Sequence, residues 1–305
     1  MGKANGKVIL FGEHAVVYGV PAIAAGIDRG ASARAVRGDQ PALRVGNQHV
    51  SSTDGSELGA AYAALLDSLE APPLCTTVEL ELPAGCGLGA SAAIGVATAR
   101  AVLEAIAGPP PDGPEHPSTT ERILAAANAW ERVFHGNPSG VDAAAATLGG
   151  VIWFDRTGGA RPLPIARPLT LALAIAGPPA ATREMVASVA ELQRRRPAIV
   201  DKALGGIHAL VRNARICLEQ GDLPSLGQLM NLNHMLLSGL FLSTEDIERA
   251  CGLARDVGAL GAKLTGAGGG GAVIALVDDP EPVLRVWRNE GFESFTTTVR
   301  PAPSA

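Results

Sequence analysis

The sequence predicts an α+β protein of two domains. Three observations carry this. The chain has 305 residues, 47% of them hydrophobic, enough to bury more than one core. It opens with β-like segments followed by helices, and it ends with one β segment, a block of helices and a β-α-β run. In order, Val8 to Phe11 and the apolar stretches 21–27 and 31–36 read as strands, and 62–69 has helical spacing. TTVELEL alternates charge with Val78, Leu80 and Leu82, as a half-buried strand does. Residues 91–106 read as an alanine-rich helix, broken by the proline-rich stretch 108–117.

Ser118 followed by Glu121 has capping-box spacing. Ile123, Leu124, Ala127, Trp130 and Phe134 then recur at helical intervals until Gly136 ends the run. NPSGVD, 137–142, is a turn into another alanine-rich helix; 151–154 reads as a strand and 156–168 as a linker. The expected domains are therefore 1–160 and 161–305. In the second, a strand at 171–176 precedes several helices between 183 and 257, a strand at 272–277, a short helix and a last strand at 292–299.

The net charge of -5 argues against a nucleic-acid partner, and the one basic run, Arg194 to Arg196, reads as a solvated helix end. No apolar run reaches the length of a membrane span, and Met1 to Gly6 shows no secretory hydrophobic region, so the expected location is the cytoplasm, with no membrane partner. Cys75, Cys86, Cys217 and Cys251 lack CxxC spacing and read as reduced thiols.

The segment most suggestive of chemistry is PAGCGLGASAA: Pro83, Ala84, Gly85, Cys86, Gly87, Leu88, Gly89, Ala90, Ser91, Ala92 and Ala93. Alternate glycines ahead of a helix let backbone N–H groups approach an anion, and the helix's positive end favours negative charge. The loop lacks the lysine of a P-loop, so cations must come from elsewhere. It also fits GxGxxA through Gly85, Gly87 and Ala90, but a dinucleotide site needs a second buried strand ending in Asp or Glu about 20 residues on. A proline-rich loop follows instead. Cys86 lies near the helix N-terminus, a setting that lowers a thiol's pKa.

Three more segments stand around this loop: KVILFGEHAVVYG from Lys7, ERVFHGNPSGVD from Glu131 to Asp142, and KLTGAGGGG from Lys263 to Gly271. Singly, Lys7 reads as a strand-edge cation, Glu131 as an exposed helix carboxylate and Asp142 as a helix N-cap. His49, His116, His208 and His234 have no partner motif and read as structural or surface residues. Together, and in this order, the four segments resemble the galactokinase, homoserine kinase, mevalonate kinase and phosphomevalonate kinase (GHMP) superfamily. GEHAVVYG and GNPSGVD are most similar to its mevalonate kinase branch, and the resemblance spans nearly the whole chain.

That resemblance implies a two-domain GHMP kinase fold, with an N-terminal mixed β/α nucleotide-binding domain and a C-terminal ferredoxin-like domain. It implies ATP and Mg2+ as cofactors and the primary hydroxyl of mevalonate as phosphoryl acceptor, in isoprenoid synthesis. Asp142 matches the family's catalytic aspartate, and Lys7 the lysine beside it and the reacting hydroxyl. An adjacent ammonium favours an ionised carboxylate able to accept a proton. Ser91 and Glu131 match the magnesium ligands, an oxygen set that suits the ion. Glu13, His14 and Thr182 match acceptor-site residues, while Gly266, Gly268 and Gly269 match glycines that let the second turn approach the ATP loop closely. Many relatives carry GLGSS where this chain has Ala90, which removes one hydroxyl from the phosphates. A sister kinase acting on phosphomevalonate, homoserine or a sugar, and an inactive ligand sensor, are the alternatives. The resemblance leaves room for a homodimer and for feedback inhibition by prenyl diphosphates.

Overall fold

The computed structural model describes residues 1–83, 85–108, 115–136, 138–178 and 180–301. In chain order the elements are β1 (Gly2–Phe11), a 3-10 turn (Ala15–Tyr18), β2 (Ala22–Arg37), β3 (Ala42–Val45), β4 (Gln48–Ser51), α1 (Glu57–Ser68) and β5 (Leu74–Leu80). Next come α2 (Ala90–Ala107), α3 (Pro117–His135), α4 (Val141–Leu148), β6 (Val151–Asp155), β7 (Gly159–Pro162) and β8 (Leu169–Ile175). The chain continues through α5 (Thr182–Arg195), α6 (Pro197–Gln220), α7 (Leu223–Gly239), α8 (Glu245–Asp256), β9 (Gly261–Leu264), β10 (Ala272–Leu276), α9 (Glu281–Asn289) and β11 (Ser294–Val299).

The chain divides into two compact units. The first holds Met1–Gly6, Arg29–Ala84 and Gly89–Gly149; the second holds Lys7–Asp28, Gly85–Leu88 and Gly150–Ala305. In the first unit, β3 pairs antiparallel with β4 and parallel with β5, and β5 pairs antiparallel with the later part of β2. Helices α1 to α4 pack on one another, and α2 lies against β5. Contrary to the sequence expectation, α2 is long and apolar enough, by length and composition alone, to cross a membrane; 56% of it is buried, as in a core helix. Gly95 lets Trp130 of α3 lie against α2, since a Cβ there would sit 2.9 Å from the indole ring.

In the second unit the early part of β2 pairs with β6, and β6 with β7. A second antiparallel sheet runs β11-β8-β10-β9. Strand β10 is buried at all five residues, so it reads as continuous apolar sequence. Its neighbour β9 is an edge strand covered by α7. The approach is close because Gly227 and Gly261 have no side chains: a Cβ on Gly261 would lie 2.1 Å from the Gly227 carbonyl oxygen.

Several sequence expectations need correction. The two strands expected at 21–27 and 31–36 form one continuous strand, β2. It passes through Gly30, where a Cβ would meet the Ala4 carbonyl oxygen at 1.9 Å. The N-cap of α3 is His116, not Ser118. Pro117 occupies the first helical position, where its missing N–H costs nothing, and the His116 side chain accepts from the Ser118 N–H. The expected linker contains β7, because Asp155 folds the chain back by accepting from the Thr157 N–H (3.1 Å) and hydroxyl (2.9 Å).

Candidate active site

Each unit carries its own set of the expected site residues. In the first unit, Ser91 lies in the first turn of α2, Glu131 near the end of α3, and Asp142 in the first turn of α4. The Ser91 hydroxyl donates to Glu131 Oε1 at 2.5 Å, and the Trp130 indole N–H donates to Ser91 Oγ at 3.2 Å. Glu131 is 3% exposed, and His135 Nε2 lies 3.6 Å from its other oxygen. A buried carboxylate joined to a hydroxyl is a hard-oxygen pair, the chemistry a magnesium ion favours. Among the described residues, no three His, Cys, Asp or Glu side chains gather as a metal cluster. Half-buried Asp142 stands in the first turn of α4, whose Val141 N–H donates to Ser139 Oγ at 3.5 Å, at the helix end where the dipole favours a negative charge.

The glycine loop has the backbone that its sequence requires. Gly85, Gly87 and Gly89 take φ of 74°, 78° and 75°, and Gly89 leaves α2 without a side-chain cap. Among the described residues no side chain caps the start of α2, an arrangement that suits an anion. Ala84 lies outside the described residues, as does Asn137 of the NPSGVD turn. Cys86 is corrected: burial, with Glu293 nearby, pushes its thiol up in pKa instead of down, and it is 7% exposed. Ala92 is buried in α2, Ala90 and Pro83 are partly exposed, and Leu88 is buried.

In the second unit, buried Lys7 of β1 donates its backbone N–H to Leu88 O of the glycine loop at 2.8 Å. The second glycine turn meets that loop: a Cβ on Gly266 would stand 3.3 Å from Gly87 O. Thr265 fastens β1 to this turn, accepting from Ile9 N–H at 2.8 Å and donating to Ile9 O at 3.1 Å. Gly266, Gly268 and Gly269 all have positive φ, and Gly268 lies against Leu242.

Beyond β1, Gly12 has φ 96° and His14 φ 55°, a left-handed backbone rare for a residue with a Cβ. The His14 ring Nε2 donates to Ala267 O at 2.8 Å, and burial pulls its pKa below 6.5. With Nε2–H committed to that carbonyl, Nδ1 of the neutral ring is an acceptor. Glu13 is fully buried: Lys263 Nζ bonds one carboxylate oxygen, and Asn233 Nδ2 donates to the other at 3.1 Å. Thr182 is exposed at the start of α5.

The chain matches the GHMP kinase N-terminal domain over residues 57–150 and the GHMP kinase C-terminal domain over 214–292. It is 36% identical to a mevalonate kinase of Methanothermobacter thermautotrophicus, covering 94% of each chain. It belongs to the GHMP kinase family. It is also 33% identical to a mevalonate kinase of Thermococcus sibiricus, over 92% of this chain and 90% of the relative. Its fold is similar to the crystal structure of L. major mevalonate kinase in complex with R-mevalonate, with a TM-score of 0.87, 31% identity, and coverage of 100% of this chain and 97% of that one. The two-domain α+β kinase fold expected from the motifs is thus observed, and the enzyme is a kinase.

The fold also gives supporting roles to residues to which the motifs assigned none. Trp130 fixes Ser91, while Lys263 and Asn233 enclose Glu13. Lys263 opens the KLTGAGGGG segment, but its burial in β9 and its pairing with Glu13 are tertiary facts that the segment does not carry.

Proposed function

We propose that this kinase transfers the γ-phosphoryl group of ATP to the primary hydroxyl of mevalonate, giving 5-phosphomevalonate for isoprenoid synthesis. The observation that carries the acceptor assignment is the similarity over more than nine-tenths of the chain to mevalonate kinases at 33% and 36% identity. Asp142 accepts the hydroxyl proton, and Lys7 stabilises charge on the attacking oxygen and the transferred group. The glycine loop from Pro83 to Ala92, together with Gly268, cradles the nucleotide phosphates with backbone amides. Ser91 and Glu131 hold magnesium, which when bound neutralises phosphate charge. His14, with Glu13 behind it, and Thr182 hold the acceptor.

In this reading residues 1–160 form the nucleotide-binding domain and 161–305 the C-terminal domain. The four cysteines are free thiols, which suits a cytoplasmic enzyme. A homodimer and inhibition by prenyl diphosphates belong to the same proposal.

The test is ADP release with ATP and magnesium against mevalonate, phosphomevalonate, homoserine and galactose. Turnover on mevalonate is expected. Turnover only on another acceptor would reassign the pocket, and silence with all four would overturn the reading.

A further inference from the structure

Helix α7 does more than cover β9. Asn231 Oδ1 accepts from the Ala262 N–H at 2.9 Å, and His234 Nδ1 accepts from the Leu264 N–H at 3.4 Å. Two amides on the outer edge of β9 are thus satisfied by side chains, which fixes the strand's register against the helix. Between those two amides in sequence stands Lys263, with no solvent exposure. Its ammonium bonds Glu13 and donates to Leu264 O at 2.6 Å, with Ile9 O at 3.4 Å. The third polar residue of the same helix turn, Asn233, donates to the second Glu13 oxygen.

We propose that Lys263 and Asn233 are positioning residues that clamp the Glu13 carboxylate and thereby hold the left-handed His14 in one orientation for the acceptor. Both Glu13 oxygens are occupied inside the protein, so Glu13 acts on the acceptor through its neighbour. Gly12 at φ 96° and His14 at φ 55° flank it, a turn of poor intrinsic stability that needs an anchor. Glu13 is that anchor at one end of His14, and the Ala267 carbonyl holds the imidazole at the other. Stability alone does not account for Asn233. It is fully buried, and its Oδ1 finds no hydrogen-bond partner among the described residues, a cost that an apolar side chain would avoid. A buried ion pair is likewise a weak stabiliser relative to a neutral pair of the same shape.

The inference deepens the acceptor site proposed above and rests on it. The test compares wild type, Asn233→Ala and the neutral pair Glu13→Gln/Lys263→Met, which keeps the shape without leaving one charge unpaired. Acceptor KM, ATP KM, thermal midpoint and the His14 imidazole NMR resonances are measured for each. A positioning role raises the KM for mevalonate by about tenfold or more, leaves ATP KM within about twofold, and shifts the His14 resonances. A merely structural role lowers the thermal midpoint while both KM values and the His14 resonances stay at wild-type values in the folded protein; that result overturns the proposal. The NMR readout needs no substrate. If wild type fails to turn over mevalonate, shifted His14 resonances still support the clamp and the substrate assignment alone fails, whereas unshifted ones overturn the clamp.

Discussion

Replacing Gly268 by alanine tests whether the second glycine turn is as tightly set as its geometry implies. Gly268 has φ 76°, and an added Cβ would lie 2.3 Å from the Leu242 carbonyl oxygen and 3.0 Å from Leu242 Cβ. Holding an L-residue in the left-handed region costs about 1–2 kcal/mol. Leu242 is fully buried, and its carbonyl accepts the Gly269 N–H at 2.8 Å. Moving that oxygen to an ordinary contact distance breaks the bond, at about 1 kcal/mol. The expected loss is therefore about 2–3 kcal/mol, read from urea unfolding. Gly252→Ala in α8 is the control, because nothing lies within 4 Å of an added Cβ there and its backbone is helical. It should stabilise by about 0.5–1 kcal/mol. A Gly268→Ala protein within about 0.5 kcal/mol of wild type would refute the reasoning, because neither the backbone strain nor the lost bond would then be real.

Three other predictions concern charge. Burial lowers the pKa of both His14 and His234 from 6.5, so the unfolded chain takes up protons that the native state resists. The stability tied to these two groups is complete above pH 6.5 and is lost as pH falls, so the urea midpoint should drop from about pH 7 to about pH 5; the His14→Gln/His234→Gln variant should flatten that slope, and an equal slope in both proteins would count against it. Asp142→Asn should cut ADP release by about 100-fold or more while ATP affinity, read by calorimetry, stays near wild type; undiminished turnover would remove Asp142 from the mechanism. Glu131→Gln should raise the magnesium concentration for half-maximal rate at fixed ATP, since Glu131 is the buried carboxylate bonded to Ser91; an unmoved magnesium curve would take it out of the metal site.

The parts of the fold legible in the sequence are those where local pattern and burial agree. Strands β6, β8 and β10 are runs of buried apolar residues, and α2 buries alanines along most of its length. Strands β3 and β4 escaped notice because each has only four residues, among them the exposed Arg44, Gln48 and His49. Their pairing, with one another and with β5, makes them strands, and pairing is a tertiary fact. The site divides the same way. Glycine turns show in sequence because positive φ selects glycine, and the other expected site residues could be placed through the family resemblance of the four segments. The Glu13 clamp could not be, since Asn233 stands 220 residues from Glu13 and Lys263 250 residues from it.

The residues proposed to do chemistry share a structural setting that regular elements do not provide. His14 sits in a left-handed conformation just past β1, Ser91 just past three glycines of positive φ, and Asp142 just past Gly140 at φ 90°. Each follows a break in regular backbone, where amides or side chains are released from hydrogen-bond ladders and can face a ligand. Such breaks are costly unless the flanking structure over-determines them. Here buried partners do so: Lys263 and Asn233 behind Glu13, Trp130 behind Ser91, and Thr265 between β1 and the second glycine turn. Phosphoryl transfer depends on positioning and fixed charge more than on covalent chemistry, so the rigidity of these supports bears on the rate itself. That is the physical reason to look for functional effects in buried residues such as Asn233.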